Sequence, residues 1–154
     1  MRAYYLFGKS PLPTRLNSDI NKVLEELSKI TDQETYLKAA YEVITTRFTS
    51  SRLKTVLRVW DLFSVGVEYI WNRTGFLHCT NQNYLLALLL IKGGFFKEED
   101  VQPKWGRLWL FSPHQHLRVK VGHKFVDVDA WGRSYDVPFG DYAHGFNSKA
   151  TQTR

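Results

Sequence analysis

Cys79 is the single cysteine of the chain, and it stands where the loop-like GFLHC runs into TNQNYLLALLLIKGG. A thiol in that place can be an apolar filler, a metal ligand or a nucleophile. Residues 79–92 are good helix formers, almost wholly apolar in the middle, and Gly93-Gly94 is a helix stop. Cys79 therefore falls in the first turn of an expected helix. There the unpaired N–H groups and the positive end of the helix dipole favour a thiolate, the reactive form of the side chain. A cysteine needed only for packing would sit among the leucines that follow.

A nucleophilic thiol needs a base and a group to orient it, and the second half of the chain offers both. HLRVKV and KFVDVD alternate strictly and are separated by Gly122-His123, a two-residue connection with Gly first that suits a type II′ hairpin turn. In that register Val121 faces Lys124, Arg118 faces Asp127 and His116 faces Asp129. A histidine and a carboxylate as facing partners are what a general base and its orienting group require. The expected set is Cys79, His116 and Asp129. His114 is the rival base, having the same parity, but the register puts it opposite Trp131 and next to Pro113, so His116 is preferred. His123 falls in the turn, and His78 is read as a neighbouring loop residue.

The elements that must hold these residues are legible in outline. NSDINKVLEELSKI has Asn17, Ser18 or Asp19 as a helix N-cap before apolar residues at helical spacing. TDQETYLKAAYEVITTRF repeats the pattern, with Thr31 and Glu34 in a capping-box arrangement. RLKTVLRVWDLFSVGVEYIW can be threaded onto a helical face, although its β-branched residues and Gly66 oppose a continuous helix. After these, WGRLWLF, HLRVKV and KFVDVD read as three strands, the first carrying Trp105, Trp109 and Phe111. The fold class is α+β, with a helical N-terminal half and the cysteine helix packed on a C-terminal antiparallel sheet. Residues 1–154 form one domain, the motifs lie within 53–132, and 141–154 is expected to be a flexible tail.

Composition narrows the function classes. The formal charge of +6 and pI near 9.5 come from scattered basic residues without a long Lys/Arg run, which weighs against nucleic acid as the main partner. YLLALLLI is too short to span a bilayer, so no membrane partner is expected. One cysteine and a start without a leader pattern predict a reducing compartment, the cytoplasm. A zinc site built from His78, Cys79, His114 and His116 has the right ligand types but lacks the short paired spacings of structural zinc. No metal or cofactor is therefore expected.

Taken in order, RTGFLHC opening an apolar helix, then HLRVKV and FVDVDAWG, resemble the transglutaminase-like superfamily of papain-like cysteine enzymes over Leu53 to Gly132. Leu77 stands where that family commonly has glycine, and Ala130 where a proline often follows the aspartate. The resemblance implies a papain-like core with Cys79 as nucleophile, His116 as base and Asp129 as orienter. It further implies acyl transfer on a peptide or glutamine amide through a thioester, as a protease, deamidase or transglutaminase. The substrate would be a protein or peptide. The backbone N–H of Cys79 is the natural first oxyanion donor, and Trp71 or Asn72 upstream is the candidate for the second. The alternative is a non-catalytic binding module on the same fold.

Overall fold

The computed structural model describes residues 3–63, 66–108 and 112–145. It is an α+β protein in which helices α1 (Ser18–Leu27) and α2 (Gln33–Arg47) precede a broken segment and a central helix, followed by an antiparallel sheet. Asn17 caps α1, its side chain accepting from the Ile20 N–H. For α2 the cap is Asp32, accepting from the Thr35 N–H, rather than the Thr31–Glu34 box expected from sequence. Asp and Thr are both good caps, and here the carboxylate one position later takes the role.

Beyond α2 the chain forms a two-residue strand β1 (Phe48–Thr49), then α3 (Arg52–Leu57), a 3₁₀ turn (Val59–Phe63) and α4 (Val67–Asn72). The stretch that could be threaded onto one helix is thus divided. It breaks at Arg58, whose backbone leaves the helical region, and restarts at Gly66, the extended N-cap of α4. Strand β2 (Gly75–Phe76) pairs with β1 in parallel, a contact between short segments with no alternation to announce it.

Helix α5 (Cys79–Lys92) is the centre of the molecule, with every residue from Thr80 to Leu90 buried. A helix apolar on nearly all sides must be covered on all sides. One side packs against Tyr36, Leu37, Ala40 and Ile44 of α2, and another against Leu117 and Val119 of the sheet. Three polar residues near its start are tied down: Asn81 donates to the Asp61 carbonyl, Gln82 to the Leu77 carbonyl and Ser50 hydroxyl, and Asn83 to Gln115. These bonds fix both the rotation of α5 and the position of its N-terminus.

The sheet is β3 (Val101–Leu108), β4 (Ser112–Val121) and β5 (Lys124–Val128), in that order and antiparallel throughout. The β4–β5 register pairs Val121 with Lys124, Arg118 with Asp127 and Leu117 with Val128, as the turn arithmetic predicts. Gly122 has φ 59°, whereas His123 is not left-handed, which is the type II′ pattern expected from Gly at the first turn position. Trp109 and Phe111, expected in the first strand, lie outside the described residues.

The chain after Gly140 is not a free tail as far as Gly145. Ala143 is fully buried, the Gly145 N–H donates to the Arg107 carbonyl, and Leu108 bridges to Gly145. The remainder of the expected flexible tail, 146–154, lies outside the described residues.

Candidate functional site

Cys79 is the first residue of α5, with His78 as an extended N-cap that makes no side-chain cap bond. The thiol is half-buried and lies against a small apolar cluster of Leu108, Trp131, Val137 and Ala143, which Tyr135 also joins. Its interaction partner is the His114 ring, on which the thiol helps to hold the proton. The Nε2 of that ring is 2.6 Å from Asp129 Oδ2, which leaves Nδ1 as the nitrogen facing sulfur. Cys79, His114 and Asp129 thus form a continuous chain of contacts, buried at the imidazole and carboxylate.

The surroundings fix each member. His114 rests against the Trp131 ring at 4.9 Å between centroids. Asp129 is 1% exposed and accepts two backbone bonds besides the imidazole, from Gly132 N–H to Oδ1 and from Ala143 N–H to Oδ2, each 2.8 Å. Burial disfavours a charge on His114, but the attraction and hydrogen bond of Asp129, with further help from Cys79, outweigh it and push its pKa up to about 10. The protonated ring is the favoured state near neutrality.

His116, the base expected from sequence, does not take that place. Its ring is buried and stacks on Tyr142 at 4.0 Å with 12° between planes. Its Nε2 lies 3.3 Å from Asp127 Oδ1, and neither ring nitrogen has a hydrogen-bonding partner among the described residues. Asp127 is held instead by both arms of Arg118, at 2.8 and 3.0 Å. Burial dominates here and keeps the His116 pKa below its usual value. The physical reason is diagonal contact. The ladder ends at Leu117–Val128, so Asp129 already belongs to the turn leading to Gly132, and its carboxylate reaches the histidine two positions before its nominal partner. Asp127 leans towards His116 with the same offset, as diagonal neighbours across strands can.

The expected oxyanion residues are elsewhere. Trp71 is buried in the helical core, packed on Phe48, with the Arg47 guanidinium 4.6 Å above its ring and bonded to its carbonyl oxygen. Asn72 is exposed at the end of α4. Neither is brought to Cys79 by any of these contacts. The zinc alternative also loses a ligand: His78 Nε2 is 2.7 Å from the Arg58 carbonyl oxygen, and no group of three or more metal-binding side chains occurs among the described residues.

Sequence reasoning missed the loop after Gly140, which supplies the Ala143 N–H to Asp129 and the Tyr142 ring to His116. It also missed Gly132, where a Cβ would lie 2.7 Å from Asp129 Oδ2 and 3.0 Å from the Val137 Cβ. Gly132→Ala should therefore displace the carboxylate. The expected cost is about 1–3 kcal/mol of stability, read by urea unfolding, together with slower alkylation of Cys79 at a temperature where the variant is fully folded. A variant as stable and as reactive as the parent would show that the Asp129 position is not critical.

Comparison of the chain with protein-family models, with curated proteins and with solved structures gives no match.

Proposed function

We propose that this chain is a cysteine-dependent acyl-transfer enzyme acting on a peptide or glutamine side-chain amide, with Cys79 as nucleophile, His114 as acid and base, and Asp129 as the group that orients the ring. The observation that carries the reading is the Cys79–His114–Asp129 chain of contacts at the N-terminus of α5, half-buried at the thiol and buried at the imidazole and carboxylate. The resemblance of RTGFLHC and FVDVDAWG to the transglutaminase-like superfamily, and with it a papain-like core, supports the same chemistry but needs His114 in place of His116.

In the proposed reaction the Cys79 sulfur, as thiolate, attacks the amide carbonyl carbon. The carbonyl oxygen takes up negative charge, for which the free N–H groups at the start of α5 are natural donors. His114, as imidazolium, gives its Nδ1 proton to the amide nitrogen, the C–N bond breaks and ammonia or an amine leaves, with the acyl group held as a thioester. The now neutral ring accepts a proton from water or from a lysine amine as that group attacks the thioester. Cys79 leaves again as thiolate, and the imidazolium is restored. Asp129 keeps the Nε2 proton in place throughout and balances the ring charge.

The test is direct observation of the covalent intermediate. Wild-type protein mixed with a library of glutamine-containing peptides and quenched in acid should show an acyl adduct on Cys79 by mass spectrometry, absent from Cys79→Ser. A thiol that forms no adduct and resists small electrophiles in the folded protein would favour the binding-module alternative.

A further inference from the structure

Helix α3 carries Leu53, Val56 and Leu57 at the spacing of a core-facing stripe, and Trp60 follows in the next turn. Such a stripe is normally buried. Here the four side chains are 69%, 74%, 69% and 78% exposed, an apolar surface on a segment held firmly in place. What holds it is the proposed active site's own framework. The Arg58 carbonyl accepts from the His78 Nε2–H at 2.7 Å and the Asp61 carbonyl accepts from Asn81, so the segment is bonded to the residue before Cys79 and to the second residue after it. At its other end the Arg52 N–H donates to the hydroxyl of Tyr135, which packs in the same cluster as Cys79.

The segment that carries the stripe is also basic. Arg52, Lys54 and Arg58 stand on it against Asp61, an excess of two positive charges. Asp61 is shared between Arg58 at 2.6 Å and Arg73 at 2.9 Å. We infer that the α3 stripe, Leu53, Val56, Leu57 and Trp60, is the docking surface for the polypeptide substrate, and that it selects segments in which apolar residues alternate with acidic ones. This rests on the acyl-transfer reading of Cys79, and names the substrate class that would be delivered there.

Other occupants fit less well. Two copies of the stripe would bring like charges together, and four side chains fall short of the roughly 800 Å² per partner of a stable dimer. A bilayer would match the charge, but the stripe spans only about two turns, and its continuity with the Cys79 framework is what a substrate surface needs and a membrane anchor does not.

The experiment uses the full chain with Cys79→Ser, to prevent turnover, and two fluorescent peptide pools of equal length: Leu/Phe interspersed with Glu, and Leu/Phe interspersed with Lys. Fluorescence anisotropy should show the acidic pool binding about tenfold or more tightly than the basic pool, with Leu57→Ser/Trp60→Ser weakening it at least about tenfold and Lys54→Glu reducing the preference. These side chains are exposed, so far-UV circular dichroism and melting should stay as in the parent. Equal binding of the pools, no binding of either, or binding untouched by Leu57→Ser/Trp60→Ser overturns the inference. So does co-sedimentation with phosphatidylcholine/phosphatidylserine vesicles, or a concentration-dependent dimer, that the same double substitution abolishes. Iodoacetamide labelling of Cys79 in the chain with the intact thiol is read separately: an inert thiol overturns the acyl-transfer reading, while peptide docking still reports on α3.

Discussion

Iodoacetamide should alkylate Cys79 in the folded chain, and His114→Ala should slow that reaction by at least about tenfold, because the variant loses the ring that interacts with the thiol and can take up its proton. The proposed acyl transfer should fall by about 10²–10⁴-fold in the same variant, which has lost its proton donor as well. His116→Phe is the control that separates the two histidines. Phenylalanine retains a flat ring against Tyr142, and His116 makes no hydrogen bond that the substitution would break among the described residues. Its labelling rate should stay at the parent value. Asp129→Asn should act in the direction of His114→Ala but more weakly, since the ring remains while its balancing charge is lost. If His116→Phe slows labelling and His114→Ala does not, the assignment of the base reverts to His116.

The contrast between those two residues also marks the limit of what could be read from sequence. The strand alternation, the Gly122-His123 turn and the facing pairs from Val121–Lys124 to Leu117–Val128 were legible because side-chain period and turn type fix the register. Register fixes where Cα atoms stand, however, and not which way a side chain leans where the ladder ends. His114 and His116 have the same parity, and the choice between them was made by the chain leaving the sheet after Val128 and by the Gly132 and Ala143 N–H groups that hold Asp129. The Ala143 contact comes from a segment with no periodicity to read. Likewise the helical stop at Arg58 has no Pro or Gly signal. The cysteine helix was legible for the opposite reason: an apolar run of helix length ending in Gly93-Gly94 leaves few alternatives.

Asp129→Ala should be the most destabilising single change at the site, at about 3–5 kcal/mol, the range expected when one partner of a buried ion pair is removed. The substitution strands three donors at once: the His114 ring, the Gly132 N–H and the Ala143 N–H. Against a typical total of about 5–15 kcal/mol for a domain, that is a third of the stability or more. Urea unfolding would measure it, and hydrogen exchange at Ala143 should rise well above the global change as the 141–145 loop loses its anchor. The effect should also depend on pH in a defined sense. His114 binds its proton more tightly in the folded chain than in the unfolded one, with its pKa pushed up from the usual 6.5 to about 10. Its contribution is therefore complete below about pH 6.5 and is lost as pH rises through about 10. The stability gap between wild type and Asp129→Ala should be widest in mild acid and narrow steadily on the alkaline side. A gap under about 1 kcal/mol, within the range of an ordinary exposed ion pair, or one that widens with rising pH, would mean that the carboxylate does not hold the imidazolium in the way the geometry requires.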